Sequence, residues 1–363
     1  MKGRVIALTK PPVHAALIVD GRIEDILPSP PDGQPHIGEV LTGRIDRPVP
    51  GQNAAFVRLP DGNTGYLREA KGLRSGDALP VIVTGLPEDG KAVPVSHRIL
   101  LKGRGLILTP GKPGVNVSRQ IKDPEQRDRL AEALTQPNAD TGIIVRSAAR
   151  EIDESSLVAE CADLSTQLSD AQYGAGVGYR AMADALREWT DPLPEVIAAP
   201  WELEDRLNWD RDPGRLYHDP DLADALRFAD GDPFEHFGVW DEIEKLRSPH
   251  ADLPSGGWMV IEATRAMVTV DVNTGDQFSG GAGMTANVEA ARELPRQLRL
   301  RGFGGQVIVD FAPMKKQHRK KIEETLNSAF RKDRIETTLA GWTPLGNFEL
   351  TRKRERRALC ELL

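Results

Sequence analysis

Short bursts of alternating apolar and polar residues dominate the N-terminal part of the chain. VIALTK and AALIVDG alternate on either side of Pro11 and Pro12 and then run into SPPDGQP, which predicts a hairpin followed by a linker. A second series begins at GEVLTGRIDRPV, continues through NAAFVRL and NTGYLREA around the turn Asp61-Gly62, and ends at LPVIVTGL. Short strands at roughly ten-residue spacing, punctuated by Gly and Pro, predict a small barrel. After LKGRG the pattern becomes mixed. LILTPGKPGVNVSRQI reads as a strand and a Gly-rich loop, DPEQRDRLAEAL as a helix, GIIVRSA as a strand and ESSLVAECADLSTQLSDAQ as a long helix, which together make an α/β module. Residues 191–254 are rich in Pro, Trp and acid with weak periodicity, and predict a connection with some strand.

The pattern sharpens at WMVIEATRAMVTVDVNTG, two strands joined by a tight turn near Thr264-Arg265. In the second strand, residues two apart share a face, so Met267, Thr269, Asp271 and Asn273 point one way and Val268, Val270 and Val272 the other. TANVEAARELPRQLRLR follows as a helix, with Val288, Ala291, Pro295 and Leu298 on one stripe and Arg292, Arg296 and Arg299 on another. After GFGG, the apolar run QVIVDFA predicts a parallel strand buried on both faces. A right-handed strand-helix-strand crossover puts the carboxyl ends of both strands at one sheet edge, where open α/β sheets bind ligands. Asp271 and Asp310 sit at those ends, and adjacent strands lie ~5 Å apart, so the two carboxylates can converge on one ion. Oxygen ligands beside an arginine-bearing helix suit Mg²⁺ and phosphate better than zinc. The plainer reading of either Asp is a turn or helix-capping residue, and both readings stand at this point.

Length and charge narrow the field further. A chain of 363 residues accommodates several modules. Its net charge of -7 argues on its own against a polyanionic partner, but the distribution is uneven. Acid concentrates between Glu195 and Glu244, whereas from Arg292 onward base outnumbers acid through Lys315, Lys316, Arg319, Lys320, Lys321 and the run from Arg352 to Arg357. Such runs also occur as simple solvated faces. The only cysteines, Cys161 and Cys360, form no CxxC pair, which excludes a disulfide framework and a closed zinc site within this sequence. No stretch approaches the ~20 apolar residues of a membrane span. The interrupted N-terminus does not read as a signal peptide, so cytoplasmic residence is expected.

The ordered series VIEATRAMVTVDVNTG, NVEAARELPRQLRLRGFGGQVIVDF and FELTRKRERR closely resembles the catalytic core of the RNase E/G endoribonucleases. GEVLTGRIDRPVPGQNAAFV, LILTPGKPGVNVSRQI and GIIVRSA extend the match backward in the family's order. The resemblance implies an α/β multidomain fold. An RNase H-like subdomain would comprise residues 1–36 and 191–250, an S1-type OB barrel residues 37–103, a 5′-sensor module residues 104–190, and a DNase I-like catalytic subdomain residues 251–363. It further implies that Asp271 and Asp310 bind Mg²⁺ and that Asn273 helps orient the site. The metal would acidify a water and stabilise charge on the scissile phosphate, giving 5′-phosphate and 3′-hydroxyl products from single-stranded RNA in RNA processing or decay.

By the same resemblance, Phe56 and Tyr66 stack on RNA bases, Arg146 and Ser147 receive a 5′-monophosphate, and Arg119 is a further basic position of that module. Lys102 matches a basic position of the barrel surface more loosely. From the residues alone, Phe56 reads equally as barrel core and Arg146 as an ordinary ion-pair partner. Two departures stand out. Pro313 occupies a position where many relatives carry a second Asp, and no CPxC motif follows the TRKR segment, so a zinc-linked tetramer is not expected and any homo-oligomer would use other surfaces. The competing reading is a catalytically impaired RNA-binding regulator of the same fold.

Overall fold

The segment RVIAL, apolar from Val5 on, becomes β1 (Arg4–Leu8), which pairs antiparallel with β2 (Ala15–Val19), itself paired with β3 (Arg22–Leu27). Asp20 and Gly21 both adopt positive φ, at 51° and 81°, as a two-residue hairpin turn demands. These strands belong to a computed structural model that describes residues 3–31, 33, 36–87, 90–134, 138–169, 180–210, 224–276 and 281–363. The chain divides into two units, Met1–Phe237 and Gly238–Leu363.

In the first unit, β4 (Val40–Pro48), β5 (Ala54–Arg58), β6 (Thr64–Arg68), β7 (Ala78–Val83) and β8 (Val93–Ser96) close into a barrel in the order β4-β5-β6-β8-β7. The predicted barrel is therefore present, and its topology is OB-like. Its interior is tight: a Cβ on Gly43 would lie 2.5 Å from Val57 Cγ1. A second sheet, β11-β12-β10-β9, is built from β9 (Leu101–Lys102), β10 (Leu106–Pro110), β11 (Val115–Val117) and β12 (Thr141–Val145). It shares a core with α1 (Pro124–Ala133) and α2 (Glu154–Ser169), through Leu130, Leu157 and Leu164.

The chain then returns to the first sheet. α3 (Arg180–Glu188), which falls inside the sequence range expected for the sensor, buries Met182 and Leu186 with Ile6 and Leu8. β13 (Glu195–Ala198) adds parallel to β1, and β14 (Leu226–Phe228) adds outside β13, giving the order β14-β13-β1-β2-β3. With a partner on each side, β1 is a central strand, which accounts for its unbroken apolar run. The acidic, Trp-rich stretch is more helical than its pattern suggested. It forms α4 (Leu203–Asp210), a single turn at Pro233–His236 and, opening the second unit, α5 (Val239–Arg247). These pieces are too short for a 3.6-residue period to show.

The second unit is a six-stranded sheet in the order β15-β16-β17-β18-β20-β19. Its strands are β15 (His250–Asp252), β16 (Trp258–Ala263), β17 (Val268–Asn273), β18 (Gly305–Asp310), β19 (Thr337–Trp342) and β20 (Phe348–Arg352). Thr264 N donates to Met267 O at 2.8 Å, closing the β16–β17 turn where it was predicted. α6 (Ala282–Leu300) crosses between the parallel pair β17 and β18. α6 and α7 (Arg319–Lys332) bury Leu294, Leu298, Ile322 and Leu326 with Val270, Val272, Val307 and Val309.

This arrangement corrects two expectations. β18 is not buried on both faces: Val307 and Val309 are in the core while Gln306 and Asp310 are exposed, because both helices lie on the same side of the strand. The apolar Ile308 conceals that alternation in the sequence. Nor does α6 offer a stripe of arginines to a phosphate. Arg296 pairs with Glu242 at 2.9 Å and Glu293 at 2.8 Å, and Arg299 pairs with Asp333 at 2.6 Å; Arg292 is the exposed one of the three. The C-terminal run is likewise partly structural, since buried Arg352 meets Asp333 at 3.2 Å and Arg356 donates to Arg299 O at 3.2 Å. Among the described residues no helix is long and apolar enough to cross a membrane.

Candidate active site and candidate RNA-binding residues

The uncovered face of the second unit's sheet carries the carboxylates. Asp271 and Asp310 are register partners in the parallel ladder, so their Cα atoms stand one strand spacing apart, ~5 Å, and both side chains are exposed. Asn273, two residues further along the same face, donates from Nδ2 to Asp271 Oδ2 at 2.9 Å. That bond fixes one carboxylate oxygen. Among the described residues no group of three or more His, Cys, Asp or Glu side chains is placed to hold a metal. A hard cation at this edge would thus have two carboxylates from the protein, with water or substrate oxygens completing its shell, a habit of Mg²⁺.

The turn after β18 is held from the helix side. Asn287, fully buried in α6, donates from Nδ2 to Ala312 O at 2.8 Å and accepts from Ala312 N at 2.9 Å, so one amide satisfies both backbone groups two residues beyond Asp310. Sequence reasoning missed this residue, although a lone Asn on an otherwise apolar helix face in TANVEAA was the available signal. Pro313 is exposed and follows directly on the clamped residue.

On the barrel, alternation decides the open question about Phe56. Ala55 and Val57 point into the core, while Phe56 lies on the outer face opposite its register partner Tyr66. Their rings meet edge to face with centroids 5.8 Å apart, Arg47 caps the Phe56 ring at 5.0 Å, and Tyr66 Oη donates to Gln52 Oε1 at 2.9 Å. Arg58 and Arg68 are exposed on the same strands, so an aromatic pair flanked by guanidinium groups faces outward.

The predicted sensor residues are already engaged with neighbours. Arg146 donates from Nη1 to Gly103 O at 2.5 Å and Arg187 O at 2.9 Å, with Nη2 3.4 Å from Glu188 Oε2. Lys102 Nζ lies 3.7 Å from Glu188 Oε1, so one carboxylate serves both cations. Ser147 Oγ donates to Asp191 Oδ2 at 2.6 Å, and Arg150 reaches Asp191 Oδ1 at 2.7 Å. Arg119 is exposed and is not brought to this cluster by any of these contacts.

Beneath the cluster, Glu160 accepts from Arg104 N at 2.5 Å and from Gly105 N at 3.1 Å. A Cβ on Gly103 would sit 2.1 Å from Glu160 Oε1 and one on Gly105 2.4 Å from Leu157 Cδ2, which explains both glycines of LKGRG. Burial pushes the Glu160 carboxyl up to about 7, against the two backbone donors, which pull it down. Since Arg146 N also donates to Gly105 O at 2.7 Å, the Glu160-held turn fixes Arg146 at two points.

Comparison with known proteins follows the same segments. Residues 100–188 and 216–355 match the model of the Ribonuclease E/G family. The chain is 29% identical over 370 residues to Ribonuclease G of Escherichia coli (strain K12), covering 90% of this chain and 74% of that protein. Ribonuclease G of Haemophilus influenzae gives 29% over 374 residues, again 90% and 74%. Ribonuclease E of Synechocystis sp. gives 30% over 389 residues, 96% of this chain and 56% of the relative.

Proposed function

The chain belongs to the ribonuclease E/G family, and on that premise we propose that it is an endoribonuclease, hydrolysing single-stranded RNA to 5′-phosphate and 3′-hydroxyl ends in cytoplasmic RNA processing. The observation that carries the proposal is the in-register pair Asp271 and Asp310 on an open sheet face, with Asn273 bonded to Asp271. The residues fit Mg²⁺: two adjacent exposed carboxylates without competing sulfur or imidazole ligands. When bound there, Mg²⁺ supplies positive charge to the scissile phosphate and acidifies the attacking water.

The remaining work falls to the protein's own side chains. Asn273 holds Asp271 in one orientation, and Asn287 fixes the backbone that follows Asp310. Exposed Lys315 and Lys316, just beyond that turn, offer charge to neighbouring phosphates. Phe56 and Tyr66 offer stacking surface to unpaired bases, which suits a sequence-tolerant single-strand binder. A preference for 5′-monophosphorylated ends fits Arg146, Ser147 and Lys102, with the incoming phosphate displacing Glu188, the longest of the Arg146 contacts.

The test is incubation with a 5′-labelled, monophosphorylated single-stranded oligoribonucleotide, with Mg²⁺ or with chelator, beside Asp271→Asn and Asp310→Asn. Each substitution is expected to remove several kcal/mol of transition-state stabilisation, about 10³-fold in rate or more. Cleavage that persists in chelator or in both variants sinks the metal assignment. Tight RNA binding without cleavage would show a binding regulator instead.

A further inference from the structure

Two aromatic rings lie on the same uncovered sheet face as the carboxylates. His250 of β15 and Trp258 of β16 are diagonal cross-strand neighbours, their rings stacked with centroids 5.5 Å apart and planes 27° from parallel. Both belong to the exposed alternation of their strands, while Ala251 and Met259 between them are core. Their placement relative to the metal site is set by register. Trp258 pairs with Asn273, and His250 pairs with Val260, which pairs with Asp271. The imidazole is thus two strand spacings, ~10 Å, from Asp271 across a sheet surface floored by the half-buried Val260.

The pair is also held. Arg301, buried, donates to His250 O at 3.1 Å and to Ser248 O at 2.6 Å, and His250 Nε2 lies 3.0 Å from Asp252 Oδ1. Gly275, at φ +63° in the turn after Asn273, lies against the Gly256 backbone and the indole: a Cβ there would be 2.5 Å from Gly256 O and 3.2 Å from Trp258 Cζ3. One edge of the indole thus lies beside the turn that follows the site. The imidazole closes one face of the indole, and the His250 side chain remains 45% exposed, which leaves a ring surface open to a further flat group.

We propose that His250 and Trp258 form a nucleobase-stacking subsite that seats a base flanking the scissile phosphate at Asp271 and Asp310. The proposal rests on the endoribonuclease reading above. Stacking needs only the π-face common to all bases, so the subsite positions the chain without selecting sequence. A base seated there is one to two strands from Asp271 on the same sheet face, and in the strand order it lies on the far side of Asp271 from Asp310, which gives the RNA strand a direction across the carboxylate pair.

The experiment uses the full chain with Mg²⁺ and an oligoribonucleotide of mapped cleavage site, in which each nucleotide around that site is replaced in turn by an abasic ribose. Wild type, His250→Ala, Trp258→Ala and Trp258→Phe are compared by kcat/KM and, in chelator, by binding anisotropy. Wild type should lose about 5- to 100-fold at one abasic position, the range for one stacked base. Trp258→Ala and His250→Ala should show that loss on intact RNA and no further loss at the same abasic position, and Trp258→Phe should retain most of the activity. Equal cleavage of intact RNA by wild type and His250→Ala, or an abasic penalty undiminished in the variants, overturns the proposal. His250 is exposed, so its variant decides the matter even if Trp258→Ala does not fold. Should wild type cleave nothing, the functional reading fails, while the anisotropy series still answers whether a base stacks here.

Discussion

Asn273 and Asp271 are bonded side chain to side chain at 2.9 Å along one strand, so the amide carries no charge to the site but fixes a carboxylate that does. Asn273→Ala should therefore weaken metal-dependent cleavage by about 10- to 100-fold, the usual effect of deleting a ligand-orienting partner, and raise the Mg²⁺ concentration needed for half-maximal rate. An unchanged metal requirement in a Mg²⁺ titration would show that the bond is incidental.

Glu188 stands where an anionic ligand would meet both Lys102 and Arg146. Glu188→Gln should raise the preference for a 5′-monophosphate over a 5′-hydroxyl end by about 2- to 5-fold, the scale of a half-exposed ion pair. Arg146→Ala should abolish that preference. Cleavage rates on the two substrates measure it directly, and equal loss on both in the Arg146 variant would argue against end recognition.

Asn287→Ala leaves the Ala312 N–H and C=O without their side-chain partner inside the core. The expected cost is about 2–3 kcal/mol of stability in the second unit, readable as a lower urea midpoint. Asn287→Asp keeps an acceptor for the N–H but opposes a carboxylate to the carbonyl, and should be no better. A midpoint unchanged in both variants would remove Asn287 from any supporting role.

The Glu160 carboxyl titrates at about 7 in the folded chain and at about 4.5 when unfolded, because burial disfavours its charge. The folded state then holds more protons than the unfolded state between those values. Stability from this group is full below about pH 4.5 and is lost as pH rises through about 7. Urea midpoints measured across that range should fall for the wild type relative to Glu160→Gln. Parallel curves for the two proteins would contradict the assignment.

The sheet edge bearing Asp271 and Asp310 was legible because β17 alternates cleanly and the helix between the strands is long and amphipathic. Phe56 was not decidable from the residues, because Ala54 to Val57 is apolar throughout; only the observed burial of Ala55 and Val57 on either side of it shows that it points out. What the chain hides is pairing at a distance. Arg296 and Arg299 look like a phosphate-facing stripe until Glu242 and Asp333 are brought to them by the fold. Trp258 escaped notice for a related reason: a Trp opening a strand reads as packing surface, and only the arrival of His250 on β15 shows it to be half of a stacked pair.

The first sheet has a consequence for synthesis. β1 pairs on one edge with β2, which follows it at once in the sequence, but its other edge is completed only by β13, which is synthesised after the barrel and the second sheet. At ordinary elongation rates, translating the residues between Leu8 and Glu195 takes on the order of ten to forty seconds. Throughout that interval a strand that is apolar from Val5 to Leu8 lacks its β13 partner. Until β13 arrives, that edge is the position in the first sheet most open to pairing with another chain.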